Sequence, residues 1–314
     1  MRPMLATPAD PEIGLPGDGT AWAYEVKWDG MRVLADVHDA RLRLWSRTGR
    51  DVTVAFPELS GLSDAHPDVL LDGEVIVLAG GRPSFAALGE RMNVRDARRA
   101  EALALASPAS LIAFDVLRLY GVEVIARPWQ QRRESLERLA PSGTAWQISP
   151  AYDDRDLLLR ATREQGLEGV VAKRRDSPYQ PGVRSPDWVK MAHQHTQTCV
   201  IGGWRPESGT RERIGALLLG VWGDGGRLAF AGRVGSGITG AVEEELRRTL
   251  LPLRRAAAPF TGLVPREDAA GAVWVEPRLL IDVRHIGRTE GGRLRAPVFA
   301  GIRADLDLAS ARFS

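Results

Sequence analysis

Apolar and polar residues alternate over 31–37 and 41–46 of this 314-residue chain, and short apolar runs recur through the rest of its first half. A period of two predicts strand rather than helix. Residues 22–28 read as a strand. Residues 31–37 and 41–46 read as two more, with His38-Asp39-Ala40 as the turn of a hairpin. Residues 69–78 hold two apolar runs on either side of Asp72-Gly73-Glu74, and Asp-Gly is itself a favoured tight turn. Residues 111–119 form a further strand ending near Tyr120-Gly121, and Val170-Val171-Ala172-Lys173 forms a short one. Helical spacing is found at 84–92, opened by Ser84 as N-cap, and again at 129–140 and 153–165, the last closed by Gly166. Hairpins without a regular βαβ repeat predict an α+β domain built on antiparallel sheet.

Past about residue 197 the texture changes. Residues 199–204, 214–222 and 227–234 are short strands between Gly-rich turns, a helix spans 239–250, and 272–285 returns to strand. Short strands, one helix and many glycines suit a small β-barrel of the OB-fold type. The expected organisation is therefore two domains, 1–195 and 196–314, with the junction in 193–198. Residues 252–259, Pro-Leu-Arg-Arg-Ala-Ala-Ala-Pro, are the nearest approach to a flexible connector.

Composition narrows the class. An apolar fraction of 44% and a charged fraction of 26% are those of an ordinary globular protein. The net charge of +2 permits a polyanionic partner without demanding one. A single cysteine, Cys199, excludes intramolecular disulfides and Cys-rich zinc sites and fits a reducing cytoplasm. The first residues hold no apolar stretch of signal-peptide length, and no run approaches a membrane span.

The basic residues carry the sharpest signal. Of 42, only Lys27, Lys173 and Lys190 are lysines; the rest are arginines. Arginine cannot be deprotonated in a protein, whereas a lysine of lowered pKa is a nucleophile. Lys27 opens Lys27-Trp28-Asp29-Gly30-Met31-Arg32, and Arg32 and Arg47 are cations within folding reach. Glu74 supplies a carboxylate for a sugar hydroxyl or a hard cation, unless the segment is only a turn. Phe114 can stack on a base or fill core. Glu168 leads into the Lys173 strand, where metal ligation would keep it charged. Lys190 is a phosphate cation or a surface residue. His193 and His195 lack a third ligand. Taken in order, a lysine, several cations, carboxylates and an aromatic describe a nucleotide site that forms a covalent lysyl–nucleotide bond.

On these residues the chain resembles the ATP-dependent DNA ligases of the covalent nucleotidyltransferase superfamily, in particular the ligase module of bacterial end-joining ligases of the ligase D type. The likeness runs from Pro3 to Asp305. It implies an adenylation domain followed by an OB-fold. It makes Lys27 the AMP acceptor and Arg47, in Ser46-Arg47-Thr48-Gly49, a phosphate contact. Glu74 falls near the ribose, Phe114 on the adenine, and Glu25 near the base. Arg32, Lys173, Lys190 and Arg295 complete the expected ATP contacts, and Glu168 and Asp29 are the expected ligands of Mg²⁺ or Mn²⁺. The activity implied is sealing of 5′-phosphate/3′-hydroxyl nicks in duplex DNA, in repair and end joining. The alternatives are a non-catalytic or weakly active nucleic-acid-binding relic, and an RNA ligase or capping-type enzyme. Arg91, Arg95, Arg98 and Arg99 are candidate contacts to the DNA backbone or a solvated face. The expected protein is a monomer of the bacterial cytoplasm and nucleoid that meets nicked DNA, with a Ku-like end-binding protein or a separate repair polymerase as partner. Only 26 residues precede Lys27, so no N-terminal DNA-binding domain, polymerase or nuclease module is expected. Two family lysines are replaced, by Ala192 and by Leu306.

Overall fold

Two sheets with opposed faces build the first of two compact units, Met1–His193 and Gln194–Ser314. The computed structural model describes every residue except 11, 18, 19, 140–144, 208, 211, 212, 290 and 314. A five-stranded sheet runs in the order Leu5–Pro8, Arg184–Ala192, Gly169–Arg174, Trp22–Lys27, Ala151–Tyr152. A seven-stranded sheet is centred on Met31–His38, Val69–Ala79 and Ala109–Leu119, with Arg41–Ser46 on one side. The fold is α+β and mainly antiparallel. Among the described strands of this unit two pairings are parallel: Leu5–Pro8 with Arg184–Ala192, and Trp146–Ile148 with Ala109–Leu119.

Alternation explains why the larger sheet is buried on both sides. Val33, Ala35 and Val37 point to a core shared with Leu59, Leu62, Leu88 and Leu136, which helical segments supply. Leu34 points the other way, joining Met4, Leu70, Phe114, Leu117, Tyr179 and Trp188 in a second core. Tyr24 and Val26 bury the back of the smaller sheet against Leu158 of the helix Arg155–Glu164. Asp154 caps that helix by accepting from Leu157 N, and Gly166 follows it at φ 67.

The structure departs from the sequence expectation at several elements. Asp72-Gly73-Glu74 is no turn; it lies inside the eleven-residue strand Val69–Ala79. The hairpin turn is the two residues Asp39 and Ala40, both at positive φ. The helix opened by Ser84 is short, Phe85–Gly89, and a further helix, Ala97–Ala106, was not foreseen. The strands Leu5–Pro8 and Arg184–Ala192 were also missed. Pro186 disguised the latter, and it sits where the pairing with Leu5–Pro8 slips. The helix expected over 129–140 is Trp129–Leu139, and residue 140 lies outside the described residues.

The second unit is a curved sheet wrapped on one helix, Gly240–Leu250. The strand His195–Pro206 pairs with Leu280–His285 along its first half and with Ile214–Trp222 along its second. Shifts in register near Ile201–Gly203 give the bend that a small barrel needs. Leu246 and Leu250 seal its core against Ile201, Leu219, Val234 and Val283. The stretch 252–259 is not simply a connector, because Arg254–Arg255 pairs with Trp274 and Val275. The return to strand over 272–285 is two strands, Val273–Val275 and Leu280–His285.

Candidate active site

Register fixes which side chains meet between the sheets of the first unit. Glu25 and Lys27 lie two apart on one strand and so face the same way. Val171 stands opposite Glu25, Gly169 opposite Lys27, and Lys190 opposite Val171. From the seven-stranded sheet come Arg32 and Glu74, direct cross-strand partners, and Phe114. Between them lies a cavity of about 190 Å³, walled by Glu25, Lys27, Arg32, Arg47, Glu74, Phe114, Lys173 and Lys190 together with Trp28, Arg184 and Trp188. Eight of the expected site residues are thus brought together.

Glycine allows the crowding. Between Lys27 and Arg32 the chain crosses from one sheet to the other. A Cβ at Gly30 would run into the Val75 carbonyl and lie 2.8 Å from Glu74 Cγ. At Gly169 a Cβ would strike the Met191 carbonyl, so the residue after Glu168 must be glycine for these strands to approach.

The charges are arranged in pairs. Lys27 Nζ lies 2.5 Å from Glu168 Oε1. Lys173, wholly buried, places Nζ 2.9 Å from Glu25 Oε1 and donates to the Phe114 carbonyl at 3.0 Å. Burial pushes the Glu25 carboxyl up and the Lys173 ammonium down, each opposed by the other's charge. Burial, with Lys27 and Arg184 nearby, also lowers Lys190. Arg32 holds Asp72 through two hydrogen bonds of 2.5 and 2.6 Å. Burial alone would lower the Arg32 pKa, but the Asp72 charge and hydrogen bonds raise it. The Phe114 ring has the Arg32 guanidinium and the Lys173 ammonium each 4.5 Å from its centroid, and Trp188 stands edge-on at 6.2 Å.

Glu74 gives a pH test. Burial pushes its carboxyl up to about 8, against the pull of Arg32 and Lys27. An acid raised on folding takes up a proton as the chain folds. Its contribution to stability is therefore present at low pH and is lost as pH rises from about 4.5 to about 8. Glu74→Gln is expected to flatten that part of the stability profile. Thermal unfolding of both proteins between about pH 5 and 9 checks it, and parallel curves for the two would refute the assignment.

Other expected residues lie elsewhere. Asp29 is in the loop between Lys27 and Arg32 and is not part of the cavity wall. Arg295 belongs to the second unit, where its backbone pairs with Ile286 and Gly287. Arg91 is no nucleic-acid contact. It is fully buried, chelates Glu58 at 2.7 and 2.9 Å and donates to the Ala55 and Ser107 carbonyls. Arg95, Arg98 and Arg99 are exposed. His193 is buried with Nε2 2.8 Å from Thr162 Oγ1, and His195, in the other unit, stacks near His285 at 5.7 Å. Among the described residues no group of three or more His, Cys, Asp or Glu could hold a metal by itself. Ala192 pairs with Gly169, and Leu306 packs against the barrel core at Val200, Leu218 and Phe260.

Arg184 was missed. It lines the cavity, is exposed, and donates to the Ala6 carbonyl at 2.6 Å. Its sequence signal is the even spacing Arg184, Trp188, Lys190, hidden once Pro186 suggests a loop. An adjoining hollow of about 260 Å³ shares Arg47 with the cavity and adds Arg2 and Thr48.

A lysine-centred pocket between two mainly antiparallel sheets, followed by an OB-type barrel, defines a covalent nucleotidyltransferase. Comparison with known proteins narrows this. Residues 3–192 match the ATP dependent DNA ligase domain, and residues 210–306 match the ATP dependent DNA ligase C terminal region. The chain is 42% identical to the multifunctional non-homologous end joining DNA repair protein LigD of Mycobacterium tuberculosis, over 97% of this chain but 39% of that protein. It is 34% identical to DNA ligase C1 of Mycolicibacterium smegmatis, over 100% of this chain and 92% of that one. A solved structure of mycobacterial DNA ligase D complexed with ATP and MES superposes with a TM-score of 0.57 at 37% identity, covering all of this chain and 98% of that one. The chain belongs to the ATP-dependent DNA ligase family. It spans about two fifths of the length of the LigD relatives.

Proposed function

We propose that this chain seals 5′-phosphate/3′-hydroxyl nicks in duplex DNA through a lysyl-AMP intermediate on Lys27. The observation that carries the reading is the cavity wall itself. It sets one lysine amine among Arg47, Arg184 and Lys190, none of which has a carboxylate at salt-bridge distance among the described residues. Cations not held in a direct salt bridge, set beside a nucleophile, suit a polyphosphate.

Lys27 Nζ attacks the α-phosphorus of ATP. A P–N bond forms and the bond to pyrophosphate breaks; the ammonium gives one proton to solvent before attack and a second after it, leaving a phosphoramidate that keeps one N–H. AMP then passes to the 5′-phosphate of the nick, and the 3′-hydroxyl attacks that activated phosphate and expels AMP. Within the site, Arg32, Arg47, Arg184 and Lys190 neutralise phosphate charge, Phe114 and Glu25 face the base, and Glu74 faces the ribose. Glu168 is the carboxylate that fits a divalent cation. Mg²⁺ is commonly held by one or two carboxylates plus substrate phosphates, so a single such ligand at Lys27 meets the need without an all-protein cage. When bound, Mg²⁺ or Mn²⁺ would neutralise phosphate charge. Asp29, away from the wall, is a second ligand only by likeness.

The relatives' end-joining role extends to this chain as part of the proposal, with broken duplex DNA as substrate, a Ku-like protein as partner and the bacterial nucleoid as its place of work. No helix among the described residues is long and apolar enough to cross a membrane.

The test has two steps. Protein incubated with labelled ATP and Mg²⁺ is expected to carry label, and nicked DNA added next is expected to discharge it and be sealed. Label without sealing, or sealing of nicked RNA in preference, would favour the other nucleotidyltransferase readings. No label at all would favour a relic that only binds.

A further inference from the structure

Behind the cavity wall, groups from four distant stretches of chain close a ring of hydrogen bonds. Tyr179 Oη donates to Asp72 Oδ2 at 2.6 Å and accepts from Met4 N at 2.9 Å. Asp72 holds Arg32 through both its oxygens, at 2.5 and 2.6 Å. Arg32 Nη2 donates in turn to the Met4 carbonyl at 3.2 Å. Asp72 and Tyr179 are both buried, so water does not compete for these bonds. Neither lines the cavity, but Arg32 does.

The ring uses one side of the guanidinium. Nε and Nη2 make the bonds to Asp72 and Met4, and Nη1 makes no hydrogen bond to any described residue. One edge of Arg32, a residue that lines the cavity, is therefore fixed to protein, while its Nη1 donor is left over. The Tyr179 ring has anchors of its own. Trp188 stands edge-to-face with it at 5.7 Å, and the Arg132 guanidinium lies over it at 5.7 Å. The hydroxyl can thus be removed without removing the ring's packing. Burial and the neighbouring carboxylate push the Tyr179 ionisation far up, so the hydroxyl stays a donor at working pH.

We propose that Tyr179 is a positioning residue for nucleotide binding: its hydroxyl, together with Met4, fixes the carboxylate that fixes Arg32, and so aims the free Arg32 donor at the bound nucleotide. The inference rests on the proposed ATP site but not on the chemistry that follows. Asp72 has two acceptor oxygens and one strong cation. Without the hydroxyl it can rotate, and Arg32 then loses its single orientation. The nearby Phe114 ring offers Arg32 a face but no direction that would replace the lost bond.

Tyr179→Phe in the whole chain tests this. Equilibrium binding of ATP is measured in a Lys27→Ala background, where no adduct can form. The added Tyr179→Phe change is expected to weaken ATP binding about tenfold, the order of one charge-assisted hydrogen bond. In the chain with Lys27 intact, the ATP concentration for half-maximal adduct formation should rise by a similar factor, with the maximal rate changed much less. A purely structural role would lower the unfolding temperature and leave the ATP constant alone, and that result overturns the proposal. Asp72→Asn breaks the same ring from the other side. It must shift the ATP constant in the same direction, and it serves if the Phe variant fails to fold. ATP binding that responds to Tyr179 without any adduct in the intact chain would sink the ligase reading and keep this one. Normal adduct formation with an unshifted ATP constant would do the reverse.

Discussion

A Lys27→Arg chain is expected to form no covalent adduct with labelled ATP, with the rate falling by at least about three orders of magnitude. The exchange is a demanding one because it preserves so much. Charge is kept, and the new guanidinium can still meet Glu168, which lies 2.5 Å from the lysine amine. Neither the strand Trp22–Lys27 nor its pairing with Gly169–Arg174 depends on the end of that side chain. What is lost is the capacity to become a neutral amine, because a guanidinium holds its proton in any protein environment. A chain that otherwise writes its positive charge almost wholly as arginine keeps lysine at this position, where arginine would be chemically inert. Intact mass after incubation with ATP and Mg²⁺ reads the outcome directly, since only the wild-type chain should gain the mass of AMP. An adduct of equal yield in Lys27→Arg would place the acceptor elsewhere, and Lys190 would be the first residue to examine, because it shares the cavity and its ammonium is already lowered.

Much of this pocket was legible because strands announce their faces. Glu25 and Lys27, or Lys173 and the residues around it, stand at fixed parity, and short motifs brought Arg32, Arg47, Glu74 and Phe114 to the same place. Other features were not legible, for definite reasons. Asp-Gly is the commonest signal of a tight turn, yet at Asp72-Gly73 the neighbouring strands on both sides hold the segment extended. Local preference yielded to pairing. Arg91 stands in the same Arg-rich stretch as Arg95, Arg98 and Arg99, but only a fold that brings Glu58 and two carbonyls to one point can bury it. Charge pattern alone cannot separate a buried arginine from a solvated one. Tyr179 and Met4 are 175 positions apart, and nothing local to either foretells their hydrogen bond. Arg184 had a readable spacing, and Pro186 hid it.

Asp115→Ala is expected to lower stability by about 3–5 kcal/mol, the cost of leaving a buried charge without its partner. Asp115 and Arg132 are both wholly buried and joined by two hydrogen bonds of 2.8 and 2.9 Å. Arg132 also donates to the Arg127 and Ser177 carbonyls, so its position is overdetermined and it cannot swing out to water. For a unit of this size the loss corresponds to a fall of roughly 6–20 °C in unfolding temperature. A second variant separates charge from packing. Asp115→Leu combined with Arg132→Met removes both charges and keeps apolar volume, and buried pairs replaced in this way are often nearly neutral in stability. The double variant is therefore expected to melt well above Asp115→Ala, though short of wild type, because the Arg127 and Ser177 carbonyls lose a donor. Equal melting of the two would mean that the unpaired Arg132 charge is not what destabilises Asp115→Ala. The pair also has a place in the site. Asp115 follows Phe114 on the same strand, and Arg132 lies over the ring of Tyr179, whose hydroxyl holds Asp72. If its role includes setting Phe114 and Tyr179, the double variant should regain stability and still bind ATP more weakly than wild type. That separation of stability from binding would show the buried charges to be the rigid backing of the nucleotide wall.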